Sequence, residues 1–335
     1  MNSYSSPVRV ALVGATGYAG QELIALLARH PGVTLQAAMS SSADSAARPL
    51  PRLARVWQGQ VEPLNRDRLK GLADLVFLAV PEQAAADLAP PLVDAGVRVI
   101  DLSGAFRIRD EAARARWYPA TKTLPQGAAY GLTEFYKDDV RSARLVANPG
   151  CYPTGALLAL LPLGRAGLID DQAGVVVDAK SGISGAGRVP SDRTHFSENH
   201  GSVAAYGVFG HRHVAEMEQE LGAAVTFVPH LVPLDRGILE TIYVRVQPGT
   251  TTEQISDAFD SAYRDEPFIR LTGEALPEIK HVAWTNFCDI GWRLDAASRR
   301  LVIVACLDNL VKGAAGQALQ NFNVSYGFDE RAALL

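Results

Sequence analysis

Continuous apolar runs alternate with helical patterns along the first part of the chain, and this alternation restricts the fold more than any other feature. Four apolar runs predict strands, at Val8–Val13, Val33–Met39, Leu75–Val80 and Val97–Leu102. Leucine and alanine spacing predicts helices between them, over Gln21–Arg29 and Glu82–Ala95. Strands that are apolar on both faces and are separated by helices form parallel sheets covered on both sides. The pattern therefore predicts a doubly wound α/β domain.

A glycine-rich segment, Gly14-Ala-Thr-Gly17-Tyr-Ala-Gly20, joins the first predicted strand to the first predicted helix. Glycine lets the backbone approach a pyrophosphate, which then lies at the helix N-terminus. The spacing G-x-x-G-x-x-G differs by one residue from the best-known dinucleotide motif, so its position between strand and helix carries the argument. We expect a dinucleotide site here; a tight turn without a ligand is the alternative.

The end of the second predicted strand favours NADP over NAD. An NAD-binding domain commonly places an acidic residue there to hold the ribose 2′-hydroxyl. This chain instead has Ser40-Ser41-Ser42, and Arg48 and Arg52 follow. Hydroxyls and an arginine can bind a 2′-phosphate that a carboxylate would repel, although Asp44 lies close by. Loop-filling serines are the alternative.

Cys151 lies in the run Asn148-Pro-Gly-Cys151-Tyr-Pro-Thr154, between an apolar strand at Leu145–Ala147 and a leucine-rich helix. The positive end of a helix dipole favours thiolate over thiol, and a cysteine there can have a lowered pKa. The segment therefore predicts a nucleophile, with a small packed side chain in a turn as the alternative. The other cysteines, Cys288 and Cys306, form no CxxC pair with it, which argues against a zinc site or a disulfide framework and for a reducing compartment.

A second reactive group is predicted on the helix that follows Gly210-His211-Arg212-His213. His213 and Glu216 are three residues apart on this helix and share a flank, which suits a general acid–base with its carboxylate partner. His211 points elsewhere and can hydrogen-bond a substrate. A metal site is disfavoured because residues i and i+2 lie on opposite sides of a helix. A solvated helix face remains the other alternative.

Length and composition are those of a globular protein of about two domains. Strands at Val175–Lys180, Thr226–Val228, Gly237–Val246 and Arg300–Leu307 predict a sheet-rich α+β second domain. The glycine-rich loop Ser181–Arg188 is a candidate wall of a substrate site, or a solvated loop. A net charge of −4 without a basic patch argues against nucleic acid. The polar N-terminal lead and the absence of an apolar run of about 20 residues favour a cytoplasmic protein without a membrane segment.

Six segments occur in one order along nearly the whole chain, and together they resemble the N-acetyl-γ-glutamyl-phosphate reductase family. The segments are GATGYAG at 14–20, DLSGAFR at 101–107, NPGCYPT at 148–154, SGISGAGR at 181–188, GHRHVAEM at 210–217 and LDNLVKGAAGQALQN at 307–321. The wider group includes aspartate-semialdehyde dehydrogenase and glyceraldehyde-3-phosphate dehydrogenase.

The resemblance implies a Rossmann NADP-binding domain over residues 1–148 and 313–335, with the C-terminal helix returning to it. It also implies a catalytic and oligomerisation domain with a mixed sheet over 149–312, in a homodimer or homotetramer. The expected catalytic residues are Cys151, His213 and Glu216. The expected substrate contacts are Arg107, His211, Asn148, Ser181 and Arg188. The expected cofactor contacts are Gly14, Thr16, Gly17, Tyr18, Ser40, Ser42, Pro81, Gly182 and Asn309, and no metal is expected.

The implied reaction reduces an acyl phosphate to an aldehyde with NADPH, through a thioester on Cys151, in arginine biosynthesis. The same chemistry on aspartyl phosphate or on a carrier-bound acyl phosphate is one alternative. A non-catalytic NADP-sensing regulator is a second, but it needs neither the cysteine nor the histidine. A cysteine hydrolase is a third, but it needs no dinucleotide site.

Overall fold

The structure, a computed structural model, describes residues 6–44, 46–170 and 172–335; the first half of the polar N-terminal lead, residues 1–5, lies outside them. The strands are β1 Val8–Val13, β2 Val33–Met39, β3 Val61–Glu62, β4 Leu75–Leu78, β5 Arg98–Asp101, β6 Ala129–Tyr130, β7 Leu145–Ala147, β8 Val175–Gly182, β9 Ala204–Ala205, β10 Val225–Val232, β11 Ile238–Arg245, β12 Ile269–Gly273, β13 Cys288–Asp295 and β14 Arg300–Leu307. The helices are α1 Tyr18–Leu27, α2 Arg66–Leu72, α3 Glu82–Asp94, α4 Glu111–Trp117, α5 Thr133–Ser142, α6 Cys151–Arg165, α7 Phe196–Asn199, α8 His213–Leu221, α9 Thr252–Tyr263, α10 Ile279–Val282 and α11 Gly316–Tyr326.

One compact unit comprises Met1–Pro149 and Ala314–Leu335. Its sheet has the strand order β3-β2-β1-β4-β5-β7-β6, and the described ladders in it are parallel. The chain winds one way from β1 through β2 to β3 and the other way from β4 onward, so the order reverses between β1 and β4. Ligands of such sheets bind beyond the carboxyl ends of the strands at this reversal. The doubly wound fold that the sequence predicts is confirmed.

The other compact unit comprises Gly150–Gly313. Its sheet has the order β12-β13-β14-β11-β8-β10-β9 and mixes parallel with antiparallel ladders. Helix α6 packs against this sheet and against α8 and α9, and it is buried from Tyr152 to Leu163. Each leucine so buried contributes about 1.5–3 kcal/mol of hydrophobic stabilisation. The predicted sheet-rich second half is confirmed, and α6 is its central helix.

Several predicted boundaries are wrong, and three of them have a clear physical reason. Helix α1 begins at Tyr18 rather than Gln21, because extended Gly17 is its N-cap and the end of the glycine run is already helical. Strand β8 continues through Ser181 and Gly182, because β10 and β11 both extend far enough to pair with it. The predicted flexible loop therefore starts later, and 183–186 forms a 3₁₀ turn. The C-terminal helix that the resemblance implies is preceded by a π-turn over 311–315, and α11 follows it.

Within the described residues, no helix is both long enough and apolar enough to span a bilayer.

Candidate active site

Seven of the expected cofactor residues, all except Gly182 and Asn309, lie near the carboxyl ends of the parallel strands. The glycine-rich turn follows β1, Ser40 follows β2, and Pro81 follows β4 as the N-cap of α3. Backbone N–H groups of Gly14 and Ala15 donate to the carbonyl oxygen of Met39 at 2.8 and 3.0 Å, so the glycine turn and the serine turn adjoin. This is the edge at which a doubly wound sheet binds its ligand.

The glycines of this turn have separate structural roles. Gly14 has a φ of +92°, and a Cβ there would lie 2.1 Å from the carbonyl oxygen of Ala79. A Cβ on Gly20 would lie 2.3 Å from the carbonyl oxygen of Gly14, so Gly20 lets α1 pack on the turn. Gly17 caps α1 without a side-chain cap, which leaves the backbone amides of the helix N-terminus to an anion. Thr16 belongs to the same turn, and Tyr18 is 37% exposed beside it. The turn fits a pyrophosphate.

Near the serine turn, the structure distinguishes the two arginines that the sequence proposed for the 2′-phosphate. The Ser40 hydroxyl donates to the carbonyl oxygen of Ser42 at 2.7 Å, which fixes the turn. Arg52 forms an ion pair with Glu22 of α1. Arg48 is exposed, and across the described ranges its side chain forms no ion pair. Of the two cations, Arg48 is therefore the one available to a 2′-phosphate.

Arg107 and Asn148 meet beyond β5 and β7. Buried Arg107 donates from Nε to the carbonyl oxygen of Asn148 at 2.7 Å and from Nη2 to that of Leu102 at 2.9 Å. The Asn148 amide donates to Ala314 at 3.1 Å and accepts from Asn321 at 3.0 Å. These bonds tie the segment before the cysteine to the C-terminal part of the chain. Asn148 is thus placed to hold backbone, and Arg107 fixes the carbonyl of the same residue.

Cys151 lies in the unit Gly150–Gly313. It is the first residue of α6, at the positive end of the helix dipole. The backbone N–H of Gly150 donates to Oε2 of Glu216 at 3.0 Å. A Cβ on Gly313 would lie 2.8 Å from the Cβ of Cys151, so only glycine allows residue 313 to pass so closely. Glu216, which is fully buried on α8, therefore holds the turn that carries the nucleophile candidate.

The two histidines have different surroundings. Nε2 of His213 lies 3.9 Å from Oε1 of Glu216, within ion-pair range but longer than a hydrogen bond. Nδ1 of His211 accepts the backbone N–H of His213 at 3.2 Å, which places the His211 proton on Nε2. Burial, and then the charge of Arg212, lower the pKa of His211 to about 4. His211 is therefore a neutral donor near pH 7, and His213 is the better acid–base candidate.

Two tyrosines extend this cluster, and the sequence reasoning missed both. The hydroxyls of Tyr152 and Tyr206 lie 3.2 Å apart, and the ring of His211 is edge-on to both rings. Buried Ser181 donates from its hydroxyl to the carbonyl oxygen of Gly182 at 3.0 Å. Tyr152 follows Cys151 in a motif already singled out, which was a usable signal. Tyr206 lies in a segment without any motif, and Gly313 was noted only as part of a small-residue run.

Of the remaining expected residues of the same unit, Gly182 ends β8, and Asn309 and Arg188 lie on connecting segments. Asn309 accepts from the N–H of Gly237 at 2.6 Å and donates to the Ser184 hydroxyl at 2.9 Å. A Cβ on Gly182 would lie 2.6 Å from the backbone nitrogen of Arg236, so close backbone packing requires glycine there. Arg188 is exposed in the loop after β8. Asn309 thus connects two of these segments.

Comparisons with known proteins define the class. Residues 9–143 match the family model described as the semialdehyde dehydrogenase NAD binding domain, and residues 151–309 match the semialdehyde dehydrogenase dimerisation domain. Aspartate semialdehyde dehydrogenase II of Vibrio cholerae superposes with a TM-score of 0.74, covering 96% of this chain and 99% of that chain, at 19% identity. That identity establishes the fold alone. The chain is an oxidoreductase of the semialdehyde dehydrogenase type.

Sequence relatives identify the family to which the chain belongs within the semialdehyde dehydrogenase type. The N-acetyl-gamma-glutamyl-phosphate reductase of Brevibacillus brevis is 44% identical over 98% of this chain and 98% of the relative. The enzymes of the same name from Syntrophobacter fumaroxidans and Bacillus subtilis are 45% and 41% identical with the same coverage. The chain belongs to the N-acetyl-γ-glutamyl-phosphate reductase family, and the resemblance inferred from its motifs is confirmed.

Proposed function

We propose that this protein reduces N-acetyl-γ-glutamyl phosphate to N-acetylglutamate 5-semialdehyde and phosphate, with NADPH as reductant, in arginine biosynthesis. The observation that carries the proposal is the arrangement around α6. Cys151 begins this helix, and Glu216 binds the preceding residue while lying beside His213. A nucleophile and an acid–base held by one buried carboxylate are what a thioester mechanism needs.

In the first step, the Cys151 thiolate attacks the γ-acyl carbon. A carbon–sulfur bond forms, the carbon–oxygen bond to phosphate breaks, and inorganic phosphate leaves with the bonding electrons. Backbone N–H groups at the start of α6 stabilise the negative charge that develops on the acyl oxygen. Neutral His211 donates a hydrogen bond from its Nε2–H to an oxygen of the substrate, while Arg107 provides positive charge for the phosphate.

NADPH, which the glycine turn after β1 and the serine turn after β2 would hold, would supply the hydride that reduces the thioester carbon. His213 then donates a proton to the resulting oxyanion, which gives a thiohemiacetal on Cys151. When the carbon–sulfur bond breaks, the aldehyde leaves and the thiolate returns. His213 takes back the hydroxyl proton in that step, so no net proton stays on the enzyme.

The assignment of NADP rests on the serine turn after β2 and on Arg48, and the glycine turn accommodates the pyrophosphate. In this proposal the unit with the parallel sheet binds the cofactor. The unit with the mixed sheet carries the chemistry and forms a homodimer or homotetramer in the cytoplasm.

Turnover in the reverse direction tests the function. The purified protein is supplied with N-acetylglutamate 5-semialdehyde and NADP or NAD, with and without inorganic phosphate. We expect NADPH to form only when phosphate is present, and NAD to be the poorer cofactor. Absence of turnover at any phosphate concentration would remove the proposal. Faster turnover of aspartate semialdehyde would instead identify aspartyl phosphate as the substrate.

A further inference from the structure

A small cavity of about 190 Å³ lies beside Tyr206 in the unit that contains Cys151. Its lining residues are Asp192, Arg193, Glu198, Asn199, Ser202, Ala204, Tyr206 and Leu231. Pockets that enclose whole drug-sized ligands usually have volumes of about 300–1,000 Å³. The cavity is therefore the size for one end of a small substrate rather than for a complete one.

Arg193 is the only cation among these lining residues, and local structure fixes its backbone. It lies in a 3₁₀ turn, where Ser191 and Thr194 form a reciprocal capping box. The guanidinium carbon lies 5.3 Å from the ring centroid of Tyr206, a cation–π distance. Across the described ranges, no carboxylate forms an ion pair with Arg193. A guanidinium held on an aromatic face at a cavity, without an acidic partner, is a carboxylate-binding arrangement.

Tyr206 connects this cavity to the nucleophile turn. Its backbone N–H donates to the carbonyl oxygen of Pro229 at 3.0 Å, which anchors it beside the short strand β9. Its hydroxyl lies 3.2 Å from that of Tyr152, the residue after Cys151. The ring that carries Arg193 on one side thus contacts the Cys151 helix through its hydroxyl. This contact relates the cavity to the start of α6, where Cys151 lies.

We propose that Arg193 binds the α-carboxylate of the substrate and selects for substrates that have one. This inference rests on the proposed function, in which the substrate carries a carboxylate and an acetamido group at the end away from the acyl phosphate. Asp192 and Glu198 in the same cavity can accept the acetamido N–H.

The test compares two aldehydes in the reverse assay: N-acetylglutamate 5-semialdehyde, and 4-acetamidobutanal, which lacks only the carboxylate. We expect Arg193→Gln to raise KM for the first aldehyde roughly 10- to 100-fold, with a smaller change in kcat, because a charge-assisted hydrogen bond is lost. KM for 4-acetamidobutanal should stay unchanged. Arg193→Lys should recover part of the loss, and Arg264→Gln, which removes an exposed charge at the end of α9, should have no effect.

The outcomes separate this inference from the proposed function. If wild-type protein converts the semialdehyde and Arg193→Gln does so with an unchanged KM, the inference alone is wrong. Equal losses on both aldehydes would show a structural role instead and would also overturn it. A raised KM for inorganic phosphate would assign Arg193 to the phosphate end and overturn it as well. If the wild type converts neither aldehyde, the proposed function and this inference fall together.

Discussion

Two strand-to-helix turns of this protein have similar chain geometry but are stabilised in different ways. The turn after β1 is held by backbone contacts: Gly17 donates to Gly14, Gly20 packs on the Gly14 carbonyl, and the N–H groups of Gly14 and Ala15 donate to Met39 at the end of β2. The turn after β7 is held from far along the chain. Its Gly150 N–H binds Glu216, 66 residues away, and Gly313 passes against Cys151.

The difference follows from what each turn has to present. A phosphate-binding turn presents its own backbone amides, so short-range glycines are sufficient. A nucleophile turn must place one sulfur atom against groups from other elements, and a misplacement of about 1 Å can cost about 100-fold in rate. The first turn is therefore visible as a motif, whereas the support of the second is not. Four changes test this comparison.

The largest effect is expected for Cys151→Ser. A serine hydroxyl is a much weaker nucleophile than a thiolate, so kcat should fall by about 10³-fold or more. The reverse assay measures the loss, and Cys288→Ala, at a buried cysteine of β13, is the matched control. A serine enzyme that kept most of its activity would refute the thioester mechanism.

The second largest effect is expected at Glu216, which holds the Cys151 turn through the Gly150 N–H. Glu216→Ala leaves the Gly150 N–H without its acceptor and should lower kcat about 100-fold. Glu216→Gln keeps an amide oxygen for that bond but removes the charge beside His213, so a loss of about 10-fold with a changed pH profile is expected. Glu220→Gln, on the same helix, is the control. Equal losses in Gln and Ala would show that the charge matters more than the bond.

A smaller effect is expected at Arg48, which follows the serine turn beside the glycine-rich turn. Arg48→Gln should raise KM for NADP about 10-fold and leave KM for NAD unchanged, because one charge-assisted contact to the 2′-phosphate is lost. Arg52→Gln is the matched control, since Arg52 is already paired with Glu22. If Arg52→Gln has the larger effect on NADP, the assignment of the two arginines is reversed.

The smallest effect is on the pH dependence of the free energy of unfolding, and it has opposite signs for Asp101 and for His211. Burial raises the pKa of Asp101 at the end of β5 to about 6, so between about pH 4 and 6 the folded form binds more protons and stability falls as pH rises. The lowered pKa of His211 makes stability rise with pH between about 4 and 6.5. Each slope is about 1 kcal/mol per pH unit.

Urea unfolding of single variants separates these two slopes. Asp101→Asn should remove the falling component, and His211→Gln should remove the rising one. The free energy of unfolding of each variant, relative to wild type, should therefore change with pH in opposite directions. Parallel pH curves for both variants and the wild type would contradict both pKa shifts.

Much of the fold was predictable because its signals are local. The predicted ranges of β1, β2, β7 and β14 agree with the structure, since each is an apolar run bounded by turn residues. The start of α1 was not predictable from periodicity, because Gly17 caps it inside a run that looks like loop. The prediction that Ser181 and Gly182 belong to a loop was wrong, because pairing with β10 and β11 keeps these residues in β8 despite the glycine-rich sequence.

The sequence by itself determined the doubly wound domain, the sheet-rich second half, the family and the position of Cys151 at a helix start. These depend on periodicity and on short motifs, which residues close in the chain encode. Only the tertiary structure decided that Glu216 binds Gly150, that His211 is half-buried with a lowered pKa, and that Tyr206 meets Tyr152 across 54 residues. Such contacts form when separate strands and helices pack, and side chains that meet in this way leave no periodic trace in the sequence.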